Sequence, residues 1–362
     1  MKPSTPYALS PALSIYLDLV RFAAALTVFV AHFGLHRLSG GFLWQLNPYG
    51  HQAVTVFFVL SGFVIAYATD TRERDVRSYA ISRLSRLYSV VVPAILLTVV
   101  LDTVGSGLRP DLYQGWGYEG GLSFLRFFTA LTFTNQVWTL NVPQGSNLAY
   151  WSLGYEAAYY VIFGLAMFVR GRWRWPAVAL ALLAYGPSIV SALPIWLAGV
   201  FTYRWCRRGG ISPRAGLWLF FGSVLAWLVY EALVWKLGRP MLQGSPLVRR
   251  RELVQDLFIA LCFSANLLGM SAAAGQIGGL LIRWQTPIRW LAGATFTLYL
   301  CHESIGEFLL TLLPWPVADA RSRTVVFFGT LALVFLLSMV TERRKQPWRH
   351  AFEALWPRRS LP

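Results

Sequence analysis

Charge is scarce in this chain. Of its 362 residues only 13% are Asp, Glu, Lys or Arg, about half the share of a soluble domain. A chain that is 56% hydrophobic, with a mean hydropathy of +0.50, could not cover a soluble protein's surface. Disorder is excluded too, because disordered chains are poor in aromatics and here Phe, Tyr and Trp make up 15%. What remains is an all-α polytopic membrane protein. Acidic residues are the scarcer sign, 16 against 32 Lys and Arg, for a net charge of +16. On a soluble protein that balance would point to nucleic acid. Here the basic residues lie between long apolar runs, as in cytoplasmic loops of membrane proteins, so no nucleic-acid partner is expected. Cysteine is also rare. Cys206, Cys262 and Cys301 are odd in number and form no CxxC pair, which excludes a disulfide framework and a zinc site; no metal is expected. The N-terminus MKPSTPYALSPALS lacks the shape of a signal peptide, and the first apolar run is expected to be retained. No internal repeat, low-complexity segment or attached soluble domain is visible.

A bilayer core needs about 20 mostly apolar residues per helix. Ten segments qualify: 14–36, 50–69, 87–105, 147–169, 175–190, 192–205, 215–235, 253–273, 288–312 and 323–341. The fifth and sixth are short and adjoin Pro187 and Pro194, so one kinked or re-entrant unit is an alternative. The stretch 122–140 is apolar but holds Arg126 and Asn135, and reads as interfacial or re-entrant. With a cytoplasmic N-terminus, 21 of the 32 basic residues fall inside and ten outside, with Arg21 within the first span. The positive-inside rule therefore favours N-in and C-in. The run Arg249-Arg250-Arg251 falls outside on this count and is its awkward piece: either a substrate-facing patch or a sign that the count of spans before it is off by one. Residues 1–341 are expected to form one transmembrane domain, and 342–362 a short basic tail along the inner surface.

Ionisable groups inside spans are costly and are functional candidates by default. The first span carries Asp18, Arg21 and His32. Arg21 and His32 are eleven residues apart, three turns plus about 20°, so they share a face about 16 Å apart along the axis. Asp18 is placed to pair with Arg21. In the second span Ser61-Gly62 is a small, flexible point, which close helix packing would also explain. Arg83 and Arg86 point one way from a helix entering the third span. Two guanidiniums at a membrane surface suit phosphate, though on residue chemistry alone ordinary positive-inside bias is the favoured explanation. The fourth span opens with Trp151, and its Ser152, Glu156 and Tyr160 share a face. Glu156 suits proton handling, or is neutralised by a nearby Arg. The ninth span holds Tyr299, His302, Glu303 and Glu307. Two intramembrane histidines and a carboxylate could form an acid/base set, or His302 could be a core histidine with its hydrogen bonds satisfied. Asp102, Glu231, Asp256 and Asn266 intrude without a readable pattern.

Five stretches, LDLVRFAAALTVFVAH, VFFVLSGFVI, SRLSRLY, WSLGYEAAYY and YLCHESI, occur in one order across about residues 14–341. Together they resemble the membrane-bound acyltransferase-3 family of O-acyltransferases. The resemblance implies about ten spans in a bacterial inner membrane. It implies transfer of an acyl group, often acetyl, from cytoplasmic acyl-CoA as a co-substrate rather than a tightly bound cofactor. The acceptor would be a hydroxyl of a cell-surface glycan or lipid-linked saccharide. Arg21 and His32 match the family's essential pair and Arg83 and Arg86 its RxxR motif, thought to serve the donor, with Ser61 assigned beside them. Glu156 matches the carboxylate after the WSL element. His32, Arg21, Glu156 and His302 are then the catalytic candidates, with Trp151, Ser152, Tyr160 and Asp18 on the substrate. Cys301 beside the histidine departs slightly from the pattern. The competing reading is a transporter or flippase for a lipid-linked sugar, which would also carry polar groups in its spans. A non-catalytic scaffold explains none of the buried charges.

Overall fold

A computed structural model describes residues 8–116, 118, 124–245, 247–248 and 250–356. The first seven residues, Arg249 of the arginine run and the last six residues of the expected tail lie outside the described residues. The chain is all-α. In order the helices are α1 (Pro11–Phe33), α2 (His36–Ser39), α3 (Asn47–Thr71), α4 (Val76–Leu108), α5 (Phe124–Leu131), α6 (Trp151–Phe168), α7 (Arg174–Tyr185) and α8 (Pro187–Arg208). They continue with α9 (Pro213–Leu237), α10 (Leu253–Ala272), α11 (Ala274–Ile277), α12 (Gly279–Arg283), α13 (Gln285–Ala292), α14 (Thr295–Thr311), α15 (Ala320–Ser338) and α16 (Gln346–Leu355).

Among the described residues seven helical stretches are long and apolar enough to cross a membrane: α1, α3, α4, α8, α9, α10 and the run that begins with α15. The protein is a multi-pass membrane protein. The other three expected spans fall on α6, α7 and α13–α14. Of these, α6 has 18 residues, α7 only 12 and α14 only 17, at or below the length that spans hydrocarbon untilted. Among the described residues of the stretch 122–140 the one α-helix is the eight-residue α5, too short to cross a bilayer.

Local chemistry sets the helix ends. Ser10 Oγ accepts from Leu13 N at 3.2 Å and Pro11 takes the first helical position of α1, where a missing N–H costs nothing. Helix α4 begins eleven residues before the expected 87, because a capping box at Asp75 and Ser78 starts it ahead of the apolar run. Just beyond its other end, two hydrogen bonds from Arg109 hold the exposed Asp111 carboxyl below the usual carboxylate range. The expected break near 190–192 falls instead at Gly186. That residue sits at φ 84°, which side chains disfavour, and Pro187 then opens α8. Pro194 lies inside α8 and does not end it. The expected ninth span is interrupted at Gly293-Ala294. There α14 starts afresh, and Glu342 Oε2 accepts from the N–H of Phe296 at 2.9 Å and of Thr297 at 3.2 Å, placing a negative charge at the helix N-terminus.

The chain divides into two compact units, one of residues 1–24, 52–74 and 175–292, the other of 25–51, 75–174 and 293–362. In the first, α10 packs on α8 and α9. There α3 and α8 touch backbone to backbone: a Cβ added at Gly62 would strike the carbonyl of Trp196, and one at Gly199 the carbonyl of Val59. Small residues permit such approach between helices in lipid. Asp256, fully buried, accepts from Arg250 and from Thr55 Oγ1, each at 2.6 Å, so one buried carboxylate is satisfied by a cation and a hydroxyl. This puts Arg250 against α10 rather than leaving it free for a substrate. Helix α9 leaves Trp218, Leu225 and Trp235 exposed, as a lipid-facing helix does.

In the second unit α14 packs against α4 and α15 and is buried along nearly its whole length. A helix buried on all sides is normally apolar all round. This one carries Thr297, His302, Glu303, Ser304 and Glu307, all at most 2% exposed, so each must find a partner. Helix α16 lies against α4, its last carbonyls accepting from Arg77.

Candidate active site

The second unit gathers His32 from α1, Arg37 from α2, and His302, Glu303 and Glu307 from α14. His32 Nδ1 is 2.9 Å from His302 Nε2, and the rings lie nearly parallel, 5.1 Å between centroids. His302 Nδ1 is 2.8 Å from the carbonyl of Leu298 one turn earlier, and Phe29 packs edge-on against its ring. A carbonyl oxygen only accepts, so His302 Nδ1 carries the hydrogen. In the neutral ring Nε2 then holds a lone pair, and the hydrogen facing it must sit on His32 Nδ1. That leaves the lone pair of His32 on Nε2. Glu303 Oε1 stands 3.4 Å from His32 Nδ1, a second acceptor facing the same N–H. The His32 side chain is 28% exposed.

The carboxylate is held as firmly as the imidazole. Arg37 Nη2 donates to Glu303 Oε1 at 2.6 Å, and the N–H of Ala149 donates to Glu303 Oε2 at 2.7 Å. The same guanidinium pairs with Glu307. One cation thus serves two buried carboxylates, through the two terminal nitrogens of its planar fork. Donor atoms of His32, His302 and Glu303 lie within 4.8 Å of one another, a spacing that would suit a metal ion. The two histidines, however, spend their facing nitrogens on each other, and Arg37 supplies the cation Glu303 needs. The arrangement reads as a hydrogen-bonded acid/base array.

A second cluster in this unit joins α4 to α6. Buried Arg83 lies over the rings of Tyr79 and Tyr160, 5.1 and 5.8 Å from their centroids, a cation–π arrangement. Tyr160 donates to Glu156, and Arg86 lies within electrostatic reach of Tyr160, Glu156 and Glu342. The RxxR arginines, Glu156 and Tyr160 are therefore one cluster. The carboxylate that meets His32 is Glu303, while Glu156 meets the arginines. Ser152 on α6 pairs with Tyr299 OH at 2.7 Å, and Trp151 packs edge-on to Tyr155.

In the first unit Arg21 pairs with Asp18 at 2.9 Å, as their spacing requires. Ser61 accepts from the indole N–H of Trp196 at 3.1 Å, beside the close approach at Gly62. The geometry there is that of helix packing.

A family model described as an acyltransferase domain matches residues 14–343. The chain belongs to the acyltransferase-3 family. Among relatives, it is 26% identical to acyltransferase MdmB of Streptomyces mycarofaciens over 342 residues, covering 88% of this chain and 85% of that one. It is 30% identical to exopolysaccharide production protein ExoZ of Rhizobium meliloti (strain 1021) over 209 residues, 53% of this chain and 61% of that one. No solved structure matches.

The array offers a nitrogen base of defined tautomer beside a carboxylate, groups that can take up and release a proton. Reading the residues one by one missed Glu303 and Arg37 as members of it. The available signal was local: Glu303 follows His302 directly, Glu307 comes one turn later, and Arg37 follows His32 by five residues. Asp102 has no partner that sequence spacing reveals. Its partner Ser146 lies in the irregular segment before α6, where no periodicity announces a contact.

Proposed function

We propose that this acyltransferase moves an acyl group, acetyl in the simplest case, from cytoplasmic acyl-CoA to a hydroxyl of a cell-surface or lipid-linked glycan. The protein would lie in a bacterial inner membrane with ten crossings and both termini inside. The observation that carries the reading is the tautomer of His32, whose Nε2 is left with a lone pair while Nδ1 faces His302 and Glu303. In the reaction Nε2 takes the proton of the acceptor hydroxyl as its oxygen attacks the thioester carbonyl. The C–S bond breaks, and the proton passes from His32 to the departing CoA thiolate. While His32 is positively charged, Glu303 offsets that charge and His302 keeps the ring in place. Transfer through an acyl-histidine is the covalent variant, using the same nitrogen.

Arg83 and Arg86 are assigned to the phosphates of the donor, with Tyr160 and Glu156 holding the guanidiniums until CoA arrives. Trp151 and Ser152 are assigned to the acceptor side. The relative named for exopolysaccharide production supports a glycan acceptor. Family membership leaves the transporter reading without support. The test is turnover of labelled acetyl-CoA by the purified protein in detergent. Arg83→Ala should raise the apparent KM for acetyl-CoA about tenfold or more, the worth of a charge-assisted hydrogen bond. An unchanged KM would return the arginine pair to a topological role.

A further inference from the structure

A cavity of about 270 Å³ in the second unit has no part in the steps above. Its walls include Thr98 and Asp102 of α4, Phe127 of α5, and Gln144 and Asn147 of the segment before α6. Asp102, Gln144 and Asn147 are at most 5% exposed, while Thr103 on the rim is exposed, so a polar floor lies beneath an opening to the surface.

The floor is built. The N–H and hydroxyl of Ser146 donate to the two Asp102 oxygens at 2.8 and 2.5 Å, fixing a carboxylate that still has lone pairs to offer. Asn147 Nδ2 donates to the carbonyl of Leu300 at 2.7 Å, and its Oδ1 is buried without a hydrogen-bond partner, a costly state for a polar atom. Ser146 Oγ and Thr98 Oγ1 lie 2.8 and 2.9 Å from Ser304 Oγ, next in sequence to Glu303. Two residues after Asn147, the N–H of Ala149 holds Glu303 itself. The segment that lines the cavity therefore also fixes the carboxylate beside His32.

The chemistry of the lining limits the ligand. Beside Asp102 and the two amides, the wall carries Arg126 and the apolar Ile95 and Val99, so polar groups that bond hydroxyls lie next to apolar surface. Carboxylate and amide groups side by side match neighbouring hydroxyls, each of which both donates and accepts. Phe127 offers an apolar surface for ring C–H groups. The volume is below the ~300–1,000 Å³ typical of pockets for drug-sized molecules, so it holds one ring.

We propose that this cavity binds a single pyranose residue of the acceptor through adjacent hydroxyls, held by Asp102, Asn147 and Gln144. The proposal rests on the acyltransferase reading and names the acceptor end of that reaction. On the orientation proposed above, this end of α4 lies at the outer face, where a glycan would arrive.

Saturation-transfer NMR on the full chain in detergent, without acyl donor, tests it with methyl β-D-glucopyranoside and methyl β-D-galactopyranoside. At least one glycoside should bind. Asp102→Asn and Ser106→Phe should each weaken that binding tenfold or more, and Asp111→Asn on the surface should not. Ser106 lines the cavity and is half-buried, so Ser106→Phe decides the matter if the Asp102 variant does not fold. No transfer to either glycoside, or undiminished binding in Ser106→Phe, overturns the assignment. Acetyl-CoA turnover measured alongside separates the two claims. Turnover without glycoside binding sinks the cavity proposal alone; glycoside binding without turnover sinks the reaction and leaves a sugar site.

Discussion

A neutral imidazole gives one nitrogen to donate and one to accept, and its neighbours decide which is which. Here the decision begins at the Leu298 carbonyl, passes through His302, and ends by leaving the lone pair of His32 on Nε2. His302 is therefore a positioning residue. His302→Ala should lower kcat by at least about tenfold, short of the ~10⁴ that a reversed tautomer can cost, with the KM for acyl-CoA unchanged. His302→Gln, whose amide oxygen can accept from His32 Nδ1, should recover most of the loss. Equal kcat in the Ala and Gln variants would refute positioning through that hydrogen bond. The residues legible in the sequence were those whose type alone is costly in a membrane, namely Arg21, His32, Glu156 and His302. What remained hidden was which acid serves which base. Glu303 meets His32 and Glu156 meets Arg86 because of how α6 and α14 are placed against their neighbours, and a one-helix periodicity carries no information about that.

At the scale of the element, apolar length made most spans readable and caps explain the departures from it. Helix α4 outruns its apolar core because Asp75 and Ser78 start it earlier, and the expected ninth span restarts at α14 under the charge of Glu342. The break between α7 and α8 falls at Gly186, a position of φ 84°, with Pro187 opening the next helix, and not at Pro194. Backbone contact between α3 and α8 explains the Ser61-Gly62 pair without reference to a ligand. Gly199→Leu would drive a side chain into the carbonyl of Val59; overpacking of this kind typically costs ~1–3 kcal/mol. The variant should melt several degrees below the parent in a thermal-unfolding assay in detergent. An equal melting temperature would show that the approach is not limiting.

For the whole molecule, composition gives the solvent before any fold is known. A chain with 13% charged residues must face lipid, and the exposed Trp and Leu side chains of α9 do so. The division into two units was not legible, because it depends on contacts between segments far apart in sequence and no repeat marks it. The resemblance to a family of acyltransferases covered nearly the whole chain in the sequence and again in the match over residues 14–343. What both leave to chemistry is the reacting group. The most direct measurement is turnover of labelled acetyl-CoA by His32→Ala beside the parent protein, at equal amounts of monodisperse protein in detergent. Loss of the base should reduce turnover about 10²–10⁴-fold. Turnover equal to the parent's would contradict the assignment of His32 and the mechanism built on it.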